Sequence, residues 1–188
     1  MQLPFHRRRA GFTLVELLVV IAIIVVLAAA GFGAGNFAMK KAKTTASRTY
    51  ATALTSAVEG FYSTYNSLPN VGDNLRTDRG DGVKLLEILL GIEPQGGRIQ
   101  NTRNVKFLEV KETKTKARGL LYRRGGRNVE GLYDDFGNPF YIELDKDYEE
   151  RLRFNRGSKR ETLNGRRVAV YSAGADKQLG TEDDITTW

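Results

Sequence analysis

Residues 12–39 read FTLVELLVVIAIIVVLAAAGFGAGNFAM, and the only charged side chain within them is that of Glu16. No other part of the 188-residue chain contains an apolar run of this length. An α-helix rises about 1.5 Å per residue, so a helix over this run would be ~42 Å long and would exceed the ~30 Å hydrocarbon core of a bilayer. The run therefore predicts a single membrane-spanning helix over residues 12–39.

Basic side chains flank the apolar run on both sides. Three arginines precede it and three lysines follow it: Arg7, Arg8, Arg9, Lys40, Lys41 and Lys43. Positive charge beside a membrane helix tends to stay in the cytoplasm. The arginines come first and lie closer together, so we expect a cytoplasmic N-terminus.

Three interpretations of the run are open. A cleaved secretory signal would end near residues 27–30, but the run continues beyond Ala30 and is longer than the ~7–15 apolar residues usual there. A plain signal anchor leaves Glu16 unexplained, because a carboxylate at mid-bilayer costs roughly 2.5–3.5 kcal/mol. The third interpretation is a processing signal where the basic leader meets the run.

That junction reads RRRAGFTLVE over residues 7–16. It resembles the class III, or prepilin, signal of type IV pilins and type II secretion pseudopilins, in which a short basic leader ends in Gly and is followed by Phe-Thr-Leu-x-Glu. The resemblance implies that residues 1–11 are a leader and that a prepilin peptidase cuts between Gly11 and Phe12. It also implies methylation of the new amine of Phe12.

Glu16 lies four residues after Phe12, so the two share one face of a helix. In the pilin-like family this glutamate pairs with the freed amine of a neighbouring subunit and sets the filament register. The resemblance therefore implies an assembly role for Glu16. The alternative is a glutamate at the membrane surface that lipid headgroups solvate.

The helix is expected to continue beyond the apolar run. Residues 36–65 contain no proline, and small, apolar and aromatic residues recur there at three- and four-residue spacing, which is typical of an amphipathic helix. Proline disfavours helical geometry in the preceding residue, so Leu68-Pro69 predicts the helix end. We expect one helix over 12–66, and the residues expected to pack on the globular part are Ala42, Ala46, Thr49, Tyr50, Ala53, Leu54, Ala57, Val58, Phe61, Tyr62 and Tyr65.

Residues 67–188 are predicted to form a globular domain of class α+β. Their pattern predicts a short helix over Val83–Leu90 and strands over Val105–Val110, Phe140–Leu144 and Val168–Ser172. Short strands that follow long helices favour a small antiparallel sheet packed on the N-terminal helix. This is the pilin-like arrangement that the resemblance also implies.

An acidic loop over residues 172–185 lies near the C-terminus. It contains four carboxylates, those of Asp176, Glu182, Asp183 and Asp184, together with two glycines. Calcium takes about six to eight oxygen ligands in flexible geometry, which suits such a loop, although the ligand spacing of an EF-hand is missing. A solvated acidic loop and a calcium site both remain open on these residues alone.

Two C-terminal segments carry a second resemblance. Asp-x-Phe-Gly-Asn-Pro at residues 134–139, and Tyr-Ser-x-Gly-Ala-Asp at 171–176 followed by Asp-Asp-Ile at 183–185, are similar to the C-terminal half of major pseudopilins of type II secretion. In that family the loop binds one calcium ion, so the resemblance implies Ca²⁺ as a cofactor. The implied ligands are the side chains of Asp176, Asp183 and Asp184 and the main-chain carbonyls of Ala173, Gln178 and Thr181.

Residues 98–127 contain ten basic side chains against two acidic ones. Such a segment can contact the phosphates of a nucleic acid. Solvated loop charge is the more common origin, and the segment has no clear counterpart in the pseudopilins. We therefore do not expect nucleic acid as a partner.

The composition excludes several kinds of site. The chain has no cysteine and one histidine, His6, so disulfides, cysteine-bound metals, thiol nucleophiles and multi-histidine metal sites are excluded. The sequence also lacks Gly-x-Ser-x-Gly and a phosphate-binding loop. We expect a protein that is not an enzyme. Many type IV pilins close their C-terminal region with a disulfide, so the missing cysteines favour the pseudopilin branch.

The resemblance implies a structural role, as a pseudopilin subunit that polymerises into a periplasmic filament of a type II secretion system. The subunit would be stored in the inner membrane with its C-terminal domain in the periplasm. Its partners would be copies of itself, other pseudopilins, the prepilin peptidase, the assembly platform with its ATPase, and the lipid bilayer. The alternative is a minor type IV pilin or a competence pseudopilin involved in DNA uptake or adhesion.

Overall fold

The computed structural model describes residues 11–188 except 74, 95, 124, 125 and 127, and the side chains of residues 30–34 also lie outside the described part. The leader predicted over residues 1–11 is outside it except for Gly11. The chain divides into two compact units, Met1–Lys40 and Lys41–Trp188.

Helix α1 extends over Leu14–Tyr65, close to the single helix predicted over residues 12–66. In the first unit its large apolar side chains from Leu14 to Leu27 are between 45% and 86% exposed. Among the residues that the structure describes, no helix combines the length and the apolar character that crossing a membrane requires.

The end of α1 is set by Asn66. Its φ of 52° lies in the left-handed region, and its N–H donates to the carbonyl of Tyr62 at 2.7 Å. The helix therefore stops at Tyr65, before the predicted break at Leu68-Pro69, where both residues are already buried.

The second unit is of class α+β, as predicted. Helix α2 extends over Gly80–Leu90 and contains the predicted helix Val83–Leu90. The strands are β1 (Leu75–Arg76), β2 (Glu112–Thr113), β3 (Gly119–Tyr122), β4 (Val129–Tyr133), β5 (Tyr141–Leu144), β6 (Arg151–Arg156), β7 (Lys159–Asn164), β8 (Val168–Ser172) and β9 (Ile185–Thr186).

The described strands form a sheet of four, a sheet of three and a hairpin of two. The four-stranded sheet has the order β1-β5-β8-β9 and is antiparallel throughout, with Ile142 of β5 opposite Val170 of β8. The three-stranded sheet has the order β2-β3-β4, in which β2 and β3 run parallel. Strands β6 and β7 form the hairpin. The sequence predicted one antiparallel sheet. Its predicted strands Phe140–Leu144 and Val168–Ser172 are confirmed as β5 and β8, which pair antiparallel.

The core of the second unit is one hydrophobic cluster to which α1, α2 and the strands contribute. Its larger buried members include Leu54, Val58, Phe61, Leu85, Leu86, Leu89, Leu108, Leu120, Leu132, Phe140, Ile142 and Ile185. The buried face of α1 is turned slightly from the predicted one, since Ser47 and Ala51 are buried whereas Ala42 and Thr49 are exposed. Ser47 can be buried because its hydroxyl accepts the N–H of Asp135 at 2.9 Å.

The strand predicted over Val105–Val110 is wrong, since these residues form no strand. The N–H groups of Phe107 and Leu108 both donate to the carbonyl of Leu89, at 2.8 and 3.0 Å. The segment therefore satisfies a free carbonyl near the end of α2 instead of pairing in a sheet. A local pattern of apolar and polar residues does not distinguish these two hydrogen-bond partners.

Candidate functional site

The predicted cleavage bond between Gly11 and Phe12 lies outside α1 and is exposed. Phe12 is 77% exposed, and the helix begins two residues later at Leu14. A Cβ added to Gly11 would meet no atom within 4 Å, so packing among the described residues does not require glycine there. The bond is accessible to a peptidase, and the glycine is free to serve as a recognition residue.

Glu16 and Thr13 cap each other at the start of α1. Oε2 of Glu16 accepts the N–H and the hydroxyl of Thr13 at 2.9 and 2.8 Å, and the N–H of Glu16 donates to Thr13 Oγ1 at 3.2 Å. This is a capping box, in which the two residues satisfy main-chain groups that the helix end leaves free. This partner of Glu16 was missed, although Thr13-x-x-Glu16 is itself a sequence signal for it.

Apolar side chains of α1 are exposed beyond this cap. Leu17, Ile21 and Ile24 are each more than half exposed. A continuous apolar surface of this kind marks contact with lipid or with other protein chains. The start of α1 thus combines an accessible bond, one capped carboxylate and an interaction surface.

In the C-terminal loop, the carboxylate of Asp183 is bonded to the loop itself. Its Oδ2 accepts the N–H groups of Ala175 and Asp176 at 2.9 and 3.1 Å, and its Oδ1 accepts the hydroxyl of Thr181 at 2.9 Å. Burial raises the pKa of Asp183, but these hydrogen bonds outweigh it and hold the pKa below its ordinary value. The carboxylate is therefore ionised at neutral pH and supplied with donors.

Asp184 forms an ion pair with Arg156. No sequence motif indicated that Arg156 contacts the loop. The side chain of Asp184 is 2% exposed, and its Oδ2 accepts from Nη1 of Arg156. The N–H of Gly180 donates to the same oxygen at 2.7 Å. Burial lowers the pKa of Arg156, but its bonds to Glu161 and Asp184 outweigh this and raise the pKa overall.

The other implied ligands are spread through the loop. Asp176 is exposed, and its Oδ1 accepts the N–H of Gln178 at 2.8 Å. The carbonyl of Gln178 accepts the hydroxyl of Thr181 at 3.2 Å, the carbonyl of Thr181 accepts Nη1 of Arg156 at 3.4 Å, and Ala173 is buried. Across the described part of the chain, no three acidic or histidine side chains lie close enough to share a metal ion.

These six residues do not fit a calcium site in this arrangement. Calcium needs about six to eight converging oxygens, whereas Asp183 faces hydrogen-bond donors and Asp184 faces a guanidinium. Oδ1 of Asp184 is buried and, among the described residues, has no hydrogen-bond partner. One such oxygen cannot by itself coordinate a calcium ion. The arrangement of the six residues therefore does not support the implied calcium site.

A buried carboxylate at Asp134 joins the turn over residues 134–139 to the start of the loop. Its Oδ1 accepts the N–H groups of Phe136 and Asn138, both at 2.8 Å, and its Oδ2 accepts Asn138 Nδ2 at 3.0 Å and the hydroxyl of Ser172 at 2.9 Å. Asn138 Nδ2 also donates to the carbonyl of Gly174 at 2.6 Å. The motif Asp-x-Phe-Gly-Asn-Pro therefore has a structural role here, which its residue types alone did not identify.

The basic side chains of residues 98–127 are exposed wherever the structure describes them. Some of them make ion pairs at the surface, such as Lys116 with Glu130 at 3.2 Å and Arg118 with Asp135 at 3.6 Å. Exposure of this kind fits both interpretations of the segment, solvated surface charge and contact with phosphates.

Comparison with known protein families matches residues 6–32 to the prokaryotic N-terminal methylation motif. The match includes the Gly11–Phe12 bond and Glu16, and it confirms the class III signal. It indicates a type IV pilin-like or pseudopilin protein, which implies processing by a prepilin peptidase, anchoring in a membrane and assembly into a pilin-type polymer. Searches of curated proteins and of solved structures found no match.

Proposed function

We propose that this chain is a pseudopilin subunit that polymerises into a periplasmic filament of a type II secretion system. Before assembly the apolar half of α1 anchors the subunit in the inner membrane, with the N-terminus in the cytoplasm and the second unit in the periplasm. The subunit itself is structural. Cleavage, methylation and energy come from its partners, the prepilin peptidase and the ATPase of the assembly platform.

One observation carries this proposal. The exposed Gly11–Phe12 bond directly precedes a capped helix, and the apolar side chains that follow the cap are exposed. Hydrolysis of this bond leaves a carboxylate on Gly11 and an amine on Phe12, and methylation keeps that amine positively charged. The new charge then lies just before the start of α1, four residues ahead of Glu16 in the sequence.

A cation that leaves water needs a counter-charge. In the polymer we assign that role to Glu16 of a neighbouring subunit, so that each subunit supplies one amine and one carboxylate. Both hydrogen bonds from Thr13 end on Oε2 of Glu16. The cap therefore fixes the carboxylate on the helix and leaves Oε1 as the oxygen that Thr13 does not use.

The second unit supports the choice of a pseudopilin. With no cysteine in the chain, the C-terminal region has no disulfide, and it is closed by the Arg156–Asp184 ion pair and by the hydrogen bonds of Asp134. A subunit of this kind would be stored as a folded periplasmic domain and polymerise through α1.

The first test is mass analysis of the N-terminus after extraction from membranes. The expected mature chain begins at a methylated Phe12. A mature chain that begins at any other residue would rule out the proposal.

The second test separates the charge of Glu16 from its cap. Glu16→Ala removes both, whereas Glu16→Gln keeps an acceptor and a donor at the N3 position of a capping box and removes only the charge. We expect both variants to be inserted and cleaved but to form no filament. If Glu16→Gln forms filaments at the wild-type yield, the residue acts only as a helix cap.

The second candidate function is that of a minor pilin or competence pseudopilin that contacts DNA. The observation in its favour is the exposed basic surface of residues 98–123. Contacts to phosphate release counterions, so DNA binding by the full chain in detergent would weaken steeply with salt. Binding of that kind would favour this candidate over secretion, and no binding at low salt would remove it.

A further inference from the structure

Arg156 lies at the end of β6 and is 8% exposed. Its Nε and Nη2 donate to Oε1 of Glu161 in β7 at 3.1 and 2.7 Å. Its Nη1 pairs with Asp184 and donates to the carbonyl of Thr181 at 3.4 Å. One guanidinium therefore bonds the hairpin on one side and the C-terminal loop on the other.

The backbone holds the arginine in this position. Gly157, with a φ of +60°, follows it, and a Cβ added there would lie 2.2 Å from the carbonyl oxygen of Leu179. Gly180, with a φ of +93°, faces it from the loop, and its added Cβ would lie 3.0 Å from the carbonyl oxygen of Arg156. The turn of the hairpin and the loop therefore approach each other through glycine, as close backbone contact requires.

The loop carboxylates divide by environment. Asp176 and Glu182 are exposed to water. Asp183 receives three hydrogen bonds from Ala175, Asp176 and Thr181. Asp184 is the buried one, and burying a carboxylate is costly unless a paired charge or hydrogen bonds compensate it. Its paired charge is Arg156.

We propose that Arg156 is the cation that orders the C-terminal loop, so that the loop folds without a metal ion. The guanidinium neutralises Asp184, bonds a main-chain carbonyl of the loop and fixes the β6–β7 hairpin to it. The proposal does not depend on filament formation.

The test uses the full chain in detergent and follows thermal unfolding with excess chelator and with millimolar calcium. We expect the same melting temperature in both conditions and no heat of calcium binding in a titration calorimeter. Stoichiometric calcium binding, together with a fall of several degrees on chelation, would overturn the proposal. This measurement needs no variant, so it holds even where a variant fails to fold.

Variants then test the arginine itself. Arg156→Met leaves Asp184 buried without its partner, and we expect the melting temperature to fall on the order of 10 °C. The double variant Arg156→Met with Asp184→Leu removes both charges and is expected to recover part of that fall. Arg160→Met, an exposed position in β7 of the same hairpin, is the matched control and should shift melting little. Equal shifts for Arg156→Met and Arg160→Met would contradict the proposal.

Discussion

The carboxylate of Asp134, directly after β4, accepts a 2.9 Å hydrogen bond from the hydroxyl of Ser172, 38 residues further along the chain. Both residues are fully buried. Asn138 extends this connection, because its amide donates both to Asp134 and to the carbonyl of Gly174. The turn after β4 and the start of the C-terminal loop are therefore held together by one buried carboxylate.

Removal of this carboxylate should destabilise the second unit strongly. Asp134→Ala removes the acceptor of two main-chain N–H groups and of the Ser172 hydroxyl, together with one of the two hydrogen bonds of the Asn138 amide. Hydrogen bonds to charged groups are worth about 1.5–3 kcal/mol each. We expect the free energy of unfolding to fall by about 3 kcal/mol or more, as measured by urea denaturation of the full chain in detergent.

The neighbouring residue provides the control. Burial raises the pKa of Asp135, with Arg118 opposing it, and among the described residues its Oδ2 is buried without a hydrogen-bond partner. Asp135→Asn should therefore change the free energy of unfolding by roughly 0.5 kcal/mol or less, since it removes one weak ion pair and one poorly solvated charge. A similar loss for both variants would show that Asp134 has no special role.

Glu143 should make stability depend on pH. Burial raises its pKa above the ordinary value of 4.5, and the hydrogen bond from the Tyr171 hydroxyl opposes this shift. Because the folded pKa is raised, the stability that Glu143 contributes is fully present below its unfolded pKa and is lost as the pH rises through the folded pKa. The Glu143→Gln variant has no carboxyl group to titrate and avoids this loss. The free energy of unfolding of the variant, measured with urea, should therefore rise relative to that of wild type between pH 4 and pH 7.

Tyr171→Phe tests the cause of that dependence. It keeps the ring that stacks on Tyr141 and Phe154 and removes only the hydroxyl that bonds Glu143. Without this donor the folded pKa of Glu143 should rise further, and the loss of stability between pH 4 and pH 7 should grow. A pH profile identical to wild type would show that the hydroxyl does not oppose the shift.

Two glycines at the start of α2 should differ in their tolerance of alanine. A Cβ at Gly82 would lie 2.0 Å from the carbonyl oxygen of Arg76, so alanine must displace the β1 backbone and is expected to cost about 3 kcal/mol. Gly80 has a φ of +52° and open space around it, so alanine there should cost only about 1–2 kcal/mol of left-handed strain. Urea unfolding of the two variants measures the difference, and the reverse order would contradict the close approach.

Local patterns could predict α2, β5 and β8, because apolar spacing and the Gly-Asn-Pro turn act within a few residues. The β6–β7 hairpin was not predicted, since RLRFNR and KRETLN are mostly polar and only Leu152 and Arg156 of them are buried. The capping box of Thr13 and Glu16 could have been predicted from the three-residue spacing of these two residues. The pair of Arg156 with Asp184 could not, because the fold brings together residues 28 positions apart.

The segment predicted wrongly as a strand offers the last prediction. In a strand, Val105 and Phe107 would share one face and be buried alike. In the structure, Val105 is 36% exposed, whereas the ring of Phe107 packs 5.7 Å from Phe61 and 6.2 Å from Tyr65. Phe107→Ala should therefore cost about 3 kcal/mol of unfolding free energy and Val105→Ala well under about 1 kcal/mol. Equal losses of unfolding free energy for the two variants in urea would favour the predicted strand and contradict the packing of this segment on α1.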